Sequence, residues 1–150
     1  MFKETTWKEG ELRVQEYMKK NGYKILYTNF SCVGVELDIV AILPKKVQIK
    51  TLKQEYKQKM IVDKKHKAVY KNSLKSLLKT IEDLLIITEV KARETDKYGL
   101  GSESISDFKK QNIIRGARFL QKDKIFSNMQ FRFDVASVDG RQITYISGAF

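Results

Sequence analysis

Apolar residues recur at two periods along the chain, and the switches between them mark the predicted elements. Over residues 6–21, Trp7, Val14, Tyr17 and Met18 share one stripe at 100° per residue, which predicts a helix, and Asn21-Gly22 supplies a left-handed stop. Residues 23–30 and 35–43 then read as strands. In the second, Glu36, Asp38, Val40 and Ile42 alternate with Leu37, Ile39, Ala41 and Leu43, apolar on both faces beyond Asp38, as in a central strand. Residues 84–92 alternate Leu85, Ile87, Glu89 and Lys91 against Leu84, Ile86, Thr88 and Val90. A further helix is predicted over residues 106–122, capped by Ser104 or Ser106, with Ile113, Ile114, Ala117 and Leu120 inward. Residues 131–138 and 142–147 form a hairpin through Asp139-Gly140. Helix, three strands, helix, two strands is the order of an α/β (α+β) sandwich with a mixed sheet.

Residues 45–82 interrupt two strands that a short turn would join, so they read as an insertion within a single domain spanning 1–150. Residues 46–52 alternate like a strand, while Val69, Tyr70, Leu74, Leu77, Leu78 and Ile81 follow the spacing of a lysine-covered amphipathic helix. Charge singles the segment out. The chain has 29 basic and 18 acidic residues, a net charge of +11. Residues 45–79 hold twelve lysines against Glu55 and Asp63, leaving seventeen basic and sixteen acidic residues elsewhere. Nearly all the positive charge therefore sits on the insertion.

The remaining composition narrows the class. At 150 residues the chain can bury roughly 70% of its unfolded surface. A single proline and eight glycines place it far from low-complexity sequence. Cys32 is the only cysteine, which excludes an internal disulfide and suits a reducing compartment. Residues 1–6 lack a signal-peptide core, and no apolar run approaches the roughly 20 residues of a membrane span. A soluble, cytoplasmic protein without membrane contact is the expectation.

The stretch LLIITEVKARE carries the candidate chemistry, because a buried strand ends in Glu89 and Lys91 on one face, about 7 Å apart. Acid-x-Lys triplets occur four times in this lysine-rich chain, but only Glu89-Val90-Lys91 terminates a strongly apolar strand. Only it has an earlier strand with a same-face acid pair, Glu36 and Asp38. If Asp38 and Glu89 meet, two carboxylates about 4 Å apart repel by roughly 1 to 4 kcal/mol. They then need a shared proton or a divalent cation, and hard oxygen donors suit Mg²⁺ or Mn²⁺. Lys91 would hold a water or stabilise a phosphorane-like transition state. Glu11 falls between Val14 and Met18 on the first helix, where a carboxylate is expensive without a partner. It either faces inward to orient metal-bound water or snorkels at the edge.

These residues resemble the YraN family, a bacterial group with the PD-(D/E)xK nuclease fold of restriction endonucleases and archaeal Holliday-junction resolvases. KEGELRVQEYMKKNGYKILYTN is similar to the family's opening helix and strand, VELDIVA to its GEIDLIA and ITEVKAR to its FVEVKTR. Tyr98-Gly99, KKQNIIRGARFL, RFDV and Ala149-Phe150 continue the resemblance in order, with only the lysine-rich insertion left out. The resemblance implies Glu11, Asp38, Glu89 and Lys91 as the nuclease set, Asp38, Glu89 and the Val90 carbonyl as Mg²⁺ ligands, and Lys109 as a phosphate contact. Val35 stands where the family has glycine and Ser31 where it often has arginine, departures that bear on substrate approach.

Simpler roles fit the other polar residues. Glu36 reads as a supporting acid, and Arg132 with Asp134 as a structural pair, unless Asp134 orients the lysine of the site. His66 reads as solvated rather than a zinc ligand, Cys32 as a small apolar residue, and Glu103 and Asp107 as helix-start acids. In the insertion, Lys64, Lys65, Lys67, Lys71 and Lys75 read as nucleic-acid contacts, against a solvated charged surface as the alternative. The expected function is metal-dependent hydrolysis of DNA, with branched or structured DNA as a candidate substrate, for which junction cutting favours a homodimer. The alternatives are a non-cleaving nucleic-acid-binding module of the same fold and a partner-binding protein that uses the basic insertion.

Overall fold

The β-hairpin and crossover signals resolve into one sheet. A computed structural model describes residues 7–93 and 105–150. Its elements are α1 (Trp7–Lys20), β1 (Lys24–Cys32), β2 (Val35–Leu43), α2 (Lys45–Val62), a 3₁₀ turn (Lys64–His66), α3 (Lys67–Leu78), β3 (Leu84–Arg93), α4 (Asp107–Leu120), β4 (Gln130–Asp139) and β5 (Gln142–Ile146). The strands lie in chain order, antiparallel except for the parallel pair β3–β4, whose connection carries α4. This is the expected α/β architecture, a mixed five-stranded sheet flanked by helices, consistent with the restriction-endonuclease-like fold.

Each sheet face has its own helix. Val14 and Met18 of α1 bury against Ile39, Ala41, Ile86, Val90, Ala136 and Val138, while Ile113, Ala117 and Leu120 of α4 bury against Leu37, Val40, Leu85 and Ile87. Gly10 brings α1 close to the sheet, where an added Cβ would lie 3.4 Å from that of Ala92. Trp7, expected on the inward stripe, is instead 46% exposed at the start of α1, and Gly10 and Glu11 are buried there in its place.

Two further expectations need correction. The alternation assigned to β2 breaks at Asp38: Leu37 packs with Val40 on the α4 side instead of with Ile39. Across β1, Asn29 stands between the paired Thr28–Ile39 and Phe30–Leu37 and has φ +50°, so both strands are distorted at one point. Residues 46–52 are helical, part of α2. Seven alternating residues are outweighed by an eighteen-residue run rich in lysine, glutamine and other good helix formers, entered through Pro44, whose φ of −64° suits a helix start.

The insertion is thus a helical hairpin in which neither α2 nor α3 has a buried residue. Its root is clamped: Gln48 donates to the carbonyls of Leu43 and Glu82, and the Lys45 amide donates to Asp83. At its tip Asp63 accepts from Tyr70 Oη at 3.0 Å and pairs with His66 Nδ1 at 2.8 Å, while Tyr56 packs edge-on to Tyr70. Ile81 leaves the predicted helix and is buried beyond it. Among the described residues no helix is long and apolar enough to cross a membrane. Glu103, Ser104 and the Tyr98-Gly99 pair lie outside the described residues.

Candidate active site

The antiparallel register of β2 and β3 decides what meets at the centre of the sheet. Ile39 pairs with Thr88, so Asp38 and Glu89 are the next residues outward on the two strands, and their side chains bond to each other. There the backbone ladder ends, and Asp38 Oδ2 accepts the Val90 N–H at 2.9 Å. Both acids are buried, at 6% and 8% exposure. Burial and then the Asp38 charge push Glu89 up to about 7, against Lys109, whose Nζ lies 3.3 Å from Glu89 Oε1. Asp38 is also raised, by burial, in opposition to its bonds from the Val90 amide and with Glu89. The two carboxyl groups are close enough to share a proton.

Glu11 reaches this region from α1. It is 4% exposed, so it faces inward rather than snorkelling. Its Oε2 accepts from Asn29 Nδ2 at 3.2 Å, while Oε1 is buried without a hydrogen-bond partner among the described residues. Burial raises its pKa, Asn29 opposes the rise, and the charges of Asp38 and Glu36 add to it. Asn29 escaped the sequence reading. Its type was the available signal, because asparagine is depleted in strands and tolerates positive φ.

Lys91 lies half-buried two residues beyond Glu89, its Cα opposite Ser137 of β4. The Ser137 hydroxyl, also missed, is buried and unpartnered among the described residues. Lys109 arrives from the first turn of α4, where its N–H is capped by Ser106 Oγ at 3.1 Å. The structure therefore gathers Asp38, Glu89, Lys91 and Lys109 around the end of β3, with Glu11 near enough to sense Asp38.

The donor set fits a hard cation. Among the described residues no three histidine, cysteine, aspartate or glutamate side chains group into a metal site by themselves. Mg²⁺ binds through one or two carboxylates and keeps several waters, which a backbone carbonyl and substrate phosphates can supplement. Two opposed carboxylates with raised pKa values, and the free Glu11 Oε1 nearby, present the concentrated acceptor charge such an ion neutralises.

Other candidates lie elsewhere. Lys64, Lys65, Lys67, Lys71 and Lys75 belong to the helical hairpin, which springs from the far end of β2, five residues and about 17 Å from Asp38. Glu36 is exposed and contributes only its charge. Asp134 is fully buried and engaged by Arg132, Tyr145 and the Gly148 amide, so it serves that structural cluster rather than orienting Lys91. His66 is exposed, with its ring held by Asp63, and Cys32 is buried.

A family model described as "Uncharacterised protein family UPF0102" matches residues 10–86 and 76–138, ranges that contain all five residues gathered above. A UPF0102 protein of Clostridium acetobutylicum is 31% identical over 147 residues, 94% of this chain and 89% of that protein. A UPF0102 protein of Persephonella marina is 28% identical over 152 residues, 100% of this chain and 97% of its own. Another, from Caldanaerobacter subterraneus, is 28% identical over 136 residues, 91% of this chain and 80% of its own.

Proposed function

This chain belongs to the uncharacterised protein family UPF0102, and we propose that it is a metal-dependent endonuclease that hydrolyses phosphodiester bonds in DNA. The observation that carries the proposal is the opposed, buried pair Asp38–Glu89 with a lysine two residues further along the same strand. A purely structural pair of acids at the sheet centre would be a liability, because one of them must stay protonated for the fold to tolerate it.

Asp38 and Glu89, with the Val90 carbonyl, would hold Mg²⁺ or Mn²⁺. The bound ion supplies Lewis-acid polarisation of a phosphoryl oxygen and a bound water of lowered pKa. Glu89 must release its proton to serve as a ligand. Glu11 Oε1 is available to accept a hydrogen bond from the attacking water, orienting its lone pair. Lys91 places a fixed positive charge beside the phosphorus as negative charge accumulates on its oxygens. Lys109 changes partner, from Glu89 to a substrate phosphate, and the lysine hairpin attracts the rest of the polyanion.

The test is a panel of labelled duplex, branched and single-stranded DNA incubated with Mg²⁺ or Mn²⁺ and with EDTA. Metal-dependent cleavage is expected, falling by at least about a hundredfold in Glu89→Gln and Lys91→Met, the scale of losing one preorganised charged group. A second reading, a non-cleaving DNA-binding module, is favoured by one observation: the hairpin lysines stand well away from the acids. Tight binding of every substrate with no cleavage in any metal decides for it.

A further inference from the structure

The lysines of α2 are arranged, not scattered. Lys46, Lys50, Lys53 and Lys57 follow one another at spacings of four, three and four, which confines them to about 60° of the helix circumference over about 16 Å of axis. All four are exposed, and none has a carboxylate partner among the described residues. The opposite side of the helix faces the protein: Val47, Gln48, Thr51, Leu52 and Glu55 line a cavity of about 450 Å³ shared with α1 and the sheet. Glu55, the one acid of α2, lies half a circumference from the stripe. The lysines therefore form an unmixed ridge that points straight away from the sheet.

Like charges at i,i+4 destabilise a helix, and no carboxylate among the described residues pairs with these. A polyanion laid along the ridge would. We propose that the outer face of α2 is a second DNA-binding surface, which takes the phosphate backbone of a duplex at a distance from the cleavage centre. The proposal rests on the reading of the chain as a DNA-acting protein and adds to it the length of substrate required. Duplex DNA carries a phosphate about every 3.4 Å on each strand, so a ridge of about 16 Å runs beside four or five phosphates of one strand, enough to engage four lysines.

A membrane surface fits less well, because the ridge lacks aromatic anchors: Tyr56 and Tyr70 pack on each other. The ridge begins beyond the end of β2 opposite Asp38, with about 17 Å of strand between them. A duplex that touches both must therefore exceed about five base pairs at 3.4 Å each.

Binding measured in EDTA separates this from the question of cleavage. The Glu89→Gln protein, with and without the four changes Lys46→Gln, Lys50→Gln, Lys53→Gln and Lys57→Gln, is titrated with a 30-base-pair duplex over a range of salt concentrations. Loss of four phosphate contacts lowers the slope of log affinity against log salt by about 3.6, and a fourfold Lys→Arg variant of the same positions retains the full slope. This outcome supports the ridge even if no substrate is ever cleaved. Equal slopes for the glutamine variant and its parent, or binding of anionic phosphatidylserine vesicles without binding of the duplex, overturn it. Loss of helical circular dichroism in the glutamine variant shifts the decision to the arginine variant and a fourfold Lys→Ala variant, with the same two outcomes.

Discussion

Asp38 takes the place of a backbone acceptor for Val90: its Oδ2 accepts at 2.9 Å from the Val90 N–H, in the peptide that joins Glu89 to Val90. One acid thus holds the backbone that carries the other two site residues. The distortion at Asn29 and Leu37 accompanies this substitution of a side chain for a ladder bond. Local irregularity of this kind, beside a functional residue, re-aims side chains that regular alternation would bury elsewhere.

Replacing Asp38 separates its two roles. Asp38→Asn keeps an acceptor for Val90 and removes a charge that repels Glu89, so it is expected to fold at least as stably as the parent protein. Asp38→Ala leaves the amide unsatisfied and is expected to be about 1 to 3 kcal/mol less stable than Asp38→Asn, the range for an orphaned buried donor. Both are expected to be inactive. Urea midpoints of the two variants measure the difference, and equal midpoints would refute the anchoring role.

The turn joining β1 and β2 holds an unrelieved strain. Val33 and Gly34 form a two-residue hairpin loop with φ values of +46° and +76°, between the paired Cys32 and Val35. Glycine suits this conformation, whereas a β-branched residue is strained in it by roughly 1 to 2 kcal/mol. Val33 is 49% exposed and has little packing to lose. Val33→Asn should therefore raise stability by about 1 kcal/mol, or roughly 2 to 4 °C in melting temperature for a chain of this size. Calorimetry checks it, and an unchanged or lowered midpoint counts against the strain.

The centre of the sheet was legible because β2 and β3 are strongly apolar: β2 begins and ends where the pattern predicts, and Glu89 falls on the face that alternation assigns, toward α4 with Leu85 and Ile87. Sequence periodicity carries no information on pairing, so the meeting of Asp38 with Glu89 rested on resemblance until the β2–β3 register set them opposite one another. The departure at Leu37 was invisible, since it lies beside a positive φ in the neighbouring strand, which periodicity does not report. Residues 46–52 misled because seven residues satisfy both periods, and length, together with Pro44 before them, decides for helix. Of the remaining site residues, Asn29 left one trace, a residue type depleted in strands, and Ser137 left none.

The cluster around Asp134 supports the sheet next to the site. Tyr145 Oη donates to Asp134 at 2.6 Å and is 3.0 Å from Thr88 Oγ1, the neighbour of Glu89. Arg132 adds two bonds to the same carboxylate and stays charged: burial opposes the charge, but Asp134 and Tyr23 together outweigh it. Tyr145→Phe is expected to cost about 1.5 to 3 kcal/mol, as for a bond to a charged group. Arg132→Met leaves a fully buried carboxylate unpaired and should cost about 3 to 5 kcal/mol. Denaturant midpoints in that order confirm the hierarchy; the reverse order contradicts it.

The acid pair also sets a pH dependence that metal should abolish. Glu89 titrates near 4.5 when unperturbed and at about 7 in the folded protein, so between those values the folded state binds a proton that the unfolded state has lost. Stability therefore falls as pH rises: the contribution is fully present below about pH 4.5 and is lost as pH passes through about 7. A difference of this size corresponds to about 3 to 4 kcal/mol, shared with Asp38, whose shift has the same direction. In EDTA the parent protein should lose stability from pH 5 to 8 relative to Glu89→Gln, which has no such proton. Lys109→Met removes the ammonium that now restrains Glu89, so the inflection should move to higher pH. A divalent ion competes with the proton for the same oxygens. Excess Mg²⁺ or Mn²⁺ should flatten the decline, with metal affinity rising up to about pH 7 and levelling above it. Urea midpoints across this range, with and without metal, test both halves: a parent profile parallel to that of Glu89→Gln removes the shared-proton account, and a decline that persists in excess metal removes Glu89 from the set of ligands.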